Sequence, residues 1–260
     1  QYYDIQELRK ATFNRIVAFI KSHDVTETHR TSASQLSQCL TETHDSRAVK
    51  PSIIAKRIVK GEVQVPAEIG DLVWYFNRLY ETERQLAKKL DAWSRSHPVR
   101  KHFLDRVQGI GPILSSGLIA WLSPISRFPT ISKLWKYCGL APGQLRRRGQ
   151  KLGYNPRLKT FCWKIAASFE KQKPEKSFFR RKYDEKKSYL LNRRDLKEAI
   201  EKGVKGAAQH VRLLAMRFTV KRFLAYLWRE WRKLEGLPVT KPYAHDVLGH
   251  TDYEEWQPDK

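Results

Sequence analysis

Val107-Gln108-Gly109-Ile110-Gly111-Pro112, continued by the apolar run ILSSGLIAWL at 113–122, decides how this chain is read. It reads as helix, tight Gly-Ile-Gly turn, helix: a helix-hairpin-helix. Glycine lets the backbone turn with no Cβ in the way. The N–H groups of the turn and the N-terminus of the next helix then face outward together, which suits a phosphate. Contacts of this kind go to the DNA backbone and carry no sequence information. An ordinary helix–helix turn is the competing reading. Gly109, Ile110 and Gly111 are thus the first candidate DNA-binding residues.

The sequence around the turn is strongly basic. Lys and Arg number 50 against 27 Asp and Glu, a net charge of +23 in 260 residues. Residues 1–100 nearly balance acids and bases, so the excess lies in 101–260. No acid at all occurs between Asp105 and Glu170. A merely solvated surface mixes signs to limit self-repulsion, so this exclusion points to a polyanionic partner. Within it, Arg146-Arg147-Arg148-Gly149-Gln150-Lys151 leads to Tyr154-Asn155-Pro156-Arg157-Leu158-Lys159. That is a basic loop running into a helix whose N-cap is Asn155 and whose first turn holds Pro156. Arg146, Arg147, Arg148, Lys151, Asn155, Arg157 and Lys159 are expected to converge with the helix dipole on phosphates. A flexible charged loop is the bland alternative. Trp135, Tyr137, Tyr154, Phe161 and Trp163 lie nearby and offer faces for unpaired bases. Helical spacing assigns Phe161 and Trp163 to the core instead.

The rest of the chain reads as helical. Spacings of three and four predict helices at 3–21, 51–60, 66–95, 98–107, 112–122, 130–138, 155–171, 175–200 and 205–235, with a short one near 33–40. Helix 66–95 carries Ile69, Leu72, Val73, Phe76, Leu79, Leu86, Leu90 and Trp93 on one stripe. It is long enough for core packing or for coiled-coil assembly into a homo-oligomer. Helix 205–235 places Val211, Leu214, Phe218, Ala225, Trp228 and Trp231 inward and Arg212, Arg217, Lys221, Arg222, Arg229, Arg232 and Lys233 outward. Only 142–153 suits a short β-hairpin. The fold class is therefore all-α: a helical bundle with one long amphipathic helix and a helix-hairpin-helix unit. Three parts are expected: 1–97, a helical region; 98–240, the DNA-binding domain; and 241–260, a solvated acidic tail.

Composition excludes several classes. A content of 41% apolar and 12% aromatic residues, with 8 Trp, can bury a core, so disorder is excluded. Three Cys, an odd number, do not make a disulfide scaffold. No apolar run reaches the ~20 residues of a membrane span. The first residue is Gln and the one Met is Met216, so the chain is expected to be processed or a segment of a longer one. With no export signal, a cytoplasmic, nucleoid-associated location is expected.

Catalytic constellations are poor. A two-metal nuclease needs converging carboxylates, and the most DNA-like segment has none. His245, Asp246 and His250 are spaced like metal ligands but lack a further ligand pattern, which favours a structural role. Ser115 and Ser116 sit in an apolar helix as packing residues. No catalytic or metal-binding residue is assigned.

The run GIGPILSSGLIAWLSPISRFPTISKLWKYCGLAP at 109–142 resembles the C-terminal domain of the DEDD-type insertion-sequence transposases, the family that includes the bridge-RNA-guided recombinases. The motifs are Gly109–Pro112, Ile125-Ser126-Arg127-Phe128-Pro129 and Gly139–Pro142, and the resemblance covers about 100–170. It implies DNA binding in transposition and recombination, and it brings a guide RNA as a candidate partner. Two family features are not found. Nothing in 1–100 resembles the RuvC-like domain that holds metal, so Mg²⁺ is expected only if that domain is supplied elsewhere. The family's catalytic serine falls at about Arg147, and no Ser lies between Ser132 and Ser168. The reading is a DNA-binding transposase-family protein with no membrane role. The alternative is a non-catalytic RNA-binding or architectural DNA-binding protein derived from a transposase.

Overall fold

The computed structural model describes residues 1–22, 50–143, 148–240 and 255–259. Its helices are α1 (Tyr2–Ser22), α2 (Pro51–Val59), α3 (Gly70–Arg95), α4 (Pro98–His102), α5 (Pro112–Leu122), α6 (Ile131–Tyr137), α7 (Pro156–Glu170), α8 (Phe178–Asn192), α9 (Arg194–Glu201) and α10 (Ala207–Leu234). No strand occurs among the described residues, so the all-α class holds. The hairpin considered at 142–153 is absent from its described part, where Gly143 and Gly149 instead take φ of +71° and +77° in turns. The helix considered near 33–40 lies outside the described residues. The chain divides into two compact units, Gln1–Lys89 and Leu90–Lys260.

The first unit is built by local signals. Pro51 opens α2, where its missing N–H costs nothing. Gly61 follows the helix at φ +76°. Ile16 and Ile20 of α1, Ala55 and Ile58 of α2, Ile69 of the 3-10 turn before α3, and Val73 and Phe76 at the start of α3 form one buried cluster. The front of the α3 stripe is thus used within this unit. On α3, Glu83 accepts from the Tyr2 hydroxyl at 2.9 Å, from Gln6 at 2.8 Å and from Arg9 at 2.5 Å. Burial pushes the Glu83 carboxyl up, but hydrogen bonds from Arg9, Gln6 and Tyr2 outweigh it and hold the group below its ordinary pKa.

The second unit is organised on α10. Its buried line Val211, Ala215, Thr219, Phe223 and Leu227 packs against α8, α7, α4, α6 and α9. Phe169, Phe179 and Phe223 form a ring cluster with centroids 4.9–5.3 Å apart. Burying each such ring contributes about 1.5–3 kcal/mol. Leu214, Phe218 and Ala225, assigned to the core by spacing, are half-buried. Arg232, assigned to the outer face, is buried: its Nε donates to the Pro238 carbonyl at 2.8 Å and its Nη1 to that of Phe128 at 3.3 Å. Sequence spacing locates a helix face but cannot see acceptors supplied a hundred residues away.

Two expected helices are broken. The 98–107 stretch is α4 followed by a 3-10 turn at Leu104–Arg106. The break leaves Arg100 buried, where it donates to the Asp91 carboxylate at 2.5 Å and to Asp105 at 3.1 Å. The 175–200 stretch begins only at Phe178, because Ser177 caps it by accepting from the Arg180 N–H at 3.3 Å. It breaks again at Arg193, whose φ of −70° and ψ of 125° are extended. Asp195 in the first turn of α9 pairs with the Arg193 side chain at 2.7 Å through two bonds.

The tail also departs from expectation. Residues 255–259 are not simply solvated: the Trp256 ring lies 4.5 Å from that of Phe103, and Asp259 makes three backbone contacts described below.

Candidate nucleic-acid interface

The Gly-Ile-Gly turn is formed as a turn. Val107 and Ile110 point inward and are buried, and the Ile110 N–H bonds the Val107 carbonyl at 3.2 Å. Gly109 takes φ +95°, a region that side chains rarely adopt. A Cβ there would also meet Gln172 and Ser168 at 3.2 Å. The Ser168 hydroxyl donates to the Gly109 carbonyl at 2.5 Å, and Gln108 Nε2 to Gln172 Oε1 at 3.3 Å, so the end of α7 and the residues just after it brace the turn. Gly111 is exposed and is the N-cap of α5 without any side-chain cap, leaving first-turn N–H groups for an outside acceptor.

One N–H group of the turn is already used. Gln108 N–H donates to Asp259 Oδ2 at 2.9 Å, while Phe178 N–H, at the start of α8, donates to Asp259 Oδ1 at 2.6 Å. The Asp259 N–H in turn bonds the Arg106 carbonyl at 3.0 Å. A carboxylate of this chain therefore sits where two backbone donors converge, favoured by the positive end of α8.

The basic segment is partly described. Arg146 and Arg147 lie outside the described residues; Arg148, Lys151 and Arg157 are exposed. Asn155 caps α7 as its sequence signals, its Oδ1 accepting from the Leu158 N–H at 3.1 Å. Its own N–H bonds the Tyr137 carbonyl at 2.9 Å, which ties the start of α7 to the end of α6. Lys159 lies over the Tyr154 ring, 4.8 Å from its centre. Arg127 stands 5.2 Å from the centres of both Phe128 and Tyr137. A hydrogen bond from Asn155 and the nearby Arg127 hold the Tyr137 hydroxyl below its ordinary pKa.

Tertiary structure adds residues from α10 that are remote in sequence. Arg217 Nη2 donates to the carbonyls of Leu140 and Ala141, each at 2.9 Å. Lys221 lies 4.2 Å over the Trp135 ring, whose Nε1 donates to the Lys221 carbonyl at 3.0 Å. Burial, and then the Arg217 charge, hold the Lys221 ammonium below its ordinary pKa. Nothing in the 205–235 pattern distinguishes Arg217 and Lys221 from their basic neighbours. Their partners do so: the Gly139–Pro142 turn for Arg217 and Trp135 for Lys221.

Trp163, expected in the core, is half-buried, whereas Phe161 is buried as expected. Phe161 packs so closely on α5 that a Cβ at Gly117 would lie 2.3 Å from its Cζ. Ser115 and Ser116 are buried packing residues, and the Ser116 hydroxyl donates to the Pro112 carbonyl at 2.6 Å. Cys138 and Cys162 are buried free thiols, and their mutual hydrogen bond together with burial pushes the Cys138 thiol up, so it stays neutral.

The charge environment differs sharply along the second unit. On α8 and α9 several cations are paired: Arg180 with Asp184, Lys182 with Glu185, Arg194 with Glu198. In the acid-free stretch, Lys133, Lys151, Arg157 and Lys159 pair with no carboxylate among the described residues. Among the described residues no three His, Cys, Asp or Glu side chains are grouped to hold a metal ion, and no helix is long and apolar enough to cross a membrane. His245, Asp246 and His250 lie outside the described residues.

Residues 101–176 match the model of a family described as the Transposase IS116/IS110/IS902 family. The matched segment spans the turn, α5, α6, the basic segment and α7. No curated protein and no solved structure matches the chain.

Proposed function

We propose that this chain binds DNA in a transposition or recombination reaction, holding the duplex by its phosphates. The carrying observation is a coincidence of two features. The segment that matches the transposase family contains the acid-free stretch, and there Lys133, Lys151, Arg157 and Lys159 have no carboxylate partner among the described residues. Unpaired cations on one surface attract polyanions and release counterions on binding. The exposed Gly111 end of α5 and the capped start of α7 support two points of phosphate contact, with Arg148, Lys151, Arg157 and Lys159 around the second. The reading is of binding; strand cleavage is assigned to no residue of this chain.

A salt series on duplex DNA tests it. The logarithm of the binding constant is expected to fall linearly with the logarithm of salt, with a slope of about −0.9 for each phosphate neutralised. Changing Arg146, Arg147 and Arg148 together to Ala should flatten the slope and weaken binding, with the melting temperature unchanged. A salt-independent constant, or tighter binding of structured RNA than of duplex DNA at equal salt, would overturn this reading.

A further inference from the structure

Gly139, Leu140, Ala141, Gly143, Lys159, Trp163 and Arg217 line a cavity of about 270 Å³. Its floor is the turn after α6, where Gly139 takes φ +68° and a Cβ would lie 2.7 Å from the Tyr154 ring. Arg217 is fixed on one side by its two bonds to the floor carbonyls, and its Nε and Nη1 have no protein partner among the described residues. Lys159 stands one helical turn before Trp163 on α7, so the two side chains share a face. Among the described residues no carboxylate lines the cavity.

Trp163 is distinguished by what it lacks. Trp135, Trp228 and Trp231 each have their Nε1 hydrogen-bonded, to Lys221, Phe128 and Glu235. The rings of Tyr137 and Tyr154 are each covered by a cation. Among the described residues Trp163 makes neither a ring contact nor a hydrogen bond, although it is half-buried in a cavity. An indole lining a cavity beside two cations suits a planar base joined to a phosphate. The volume lies just below the ~300–1,000 Å³ of drug-sized sites, which limits the occupant to one nucleotide rather than a stacked strand.

We propose that this cavity takes a single unpaired nucleotide of DNA, turned out of the helix, with its base on Trp163 and its phosphate on Arg217 and Lys159. The proposal rests on the DNA-binding reading above and narrows it to a substrate with a local break in pairing. Extruding a base from an intact duplex costs unstacking energy, so a bulge should be preferred to paired DNA.

The test uses the full chain, a fully paired duplex, and the same duplex carrying one bulged 5-iodouracil. The bulged probe should bind more tightly, and ultraviolet light should cross-link it to the tryptic peptide holding Trp163. Trp163→Ala should erase the preference, a loss of roughly 5-fold or more, with the affinity and salt slope for paired duplex unchanged. A cross-link elsewhere, or a preference that survives Trp163→Ala, would overturn the proposal. The cross-link needs no variant, so it decides the matter even if Trp163→Ala is unstable. Salt-dependent binding of paired DNA without any bulge preference defeats the cavity alone. Failure to bind paired DNA at all defeats the DNA reading beneath it.

Discussion

Gly117 shows how much one hydrogen in place of a methyl group can decide. Glycine inside a helix normally costs about 1 kcal/mol relative to alanine, yet here it lets Phe161 of α7 lie against the backbone of α5. Gly117→Ala should therefore destabilise, by roughly 1–3 kcal/mol in urea denaturation, because overpacking exceeds the helix-propensity gain. Carboxylates carry a second residue-scale effect. Asp91 and Glu170 are held below their ordinary pKa values chiefly by hydrogen bonds from Arg100 and Arg212, respectively. In Glu83 and Glu230 the hydrogen bonds overcome burial. A carboxylate whose folded pKa is depressed stabilises the fold above its unfolded pKa. That contribution is lost as pH falls through the folded value. Melting temperature should hold steady from about pH 7 to 5 and decline below about pH 4. Glu170→Gln should lower it at neutral pH and make the acid decline shallower.

Element boundaries divide into those that local chemistry settles and those it does not. Pro51, Pro112, Thr130 and Asn155 mark helix starts that the structure places as read: the prolines fix the first-turn backbone angle, and Thr130 and Asn155 cap N–H groups three residues on. Ser177 gave the same kind of signal and the 175–200 reading overran it. The start of α8 has a second cap, a carboxylate, that no local window contains. Asp259 joins its first N–H to that of Gln108, 151 residues away in sequence. Asp259→Ala should cost about 1–3 kcal/mol in chemical denaturation, the range for charge-assisted hydrogen bonds left unmade. Hydrogen exchange should then quicken at Gln108 and Phe178 together. Exchange quickening at neither amide would show that the contact does not protect them.

Across the whole molecule, charge is sorted rather than spread. Arg180, Lys182 and Arg194 of α8 and α9 are paired with neighbouring carboxylates, while Lys133, Lys151, Arg157 and Lys159 pair with none among the described residues, so a polyanion should gain most along the acid-free stretch. Net charge alone would not have located that surface. By itself the sequence determined the all-α class, most helix starts, the Gly109–Gly111 turn and the acid-free stretch, because each rests on residues within a few positions of one another. Tertiary structure decided the burial of Arg232, the union of Arg217 with the Gly139–Pro142 turn, the seating of Asp259 and the placing of Trp163 in a cavity. Those depend on partners tens to more than a hundred residues distant. Helical periodicity states which way a side chain points but not what the fold has put there to meet it.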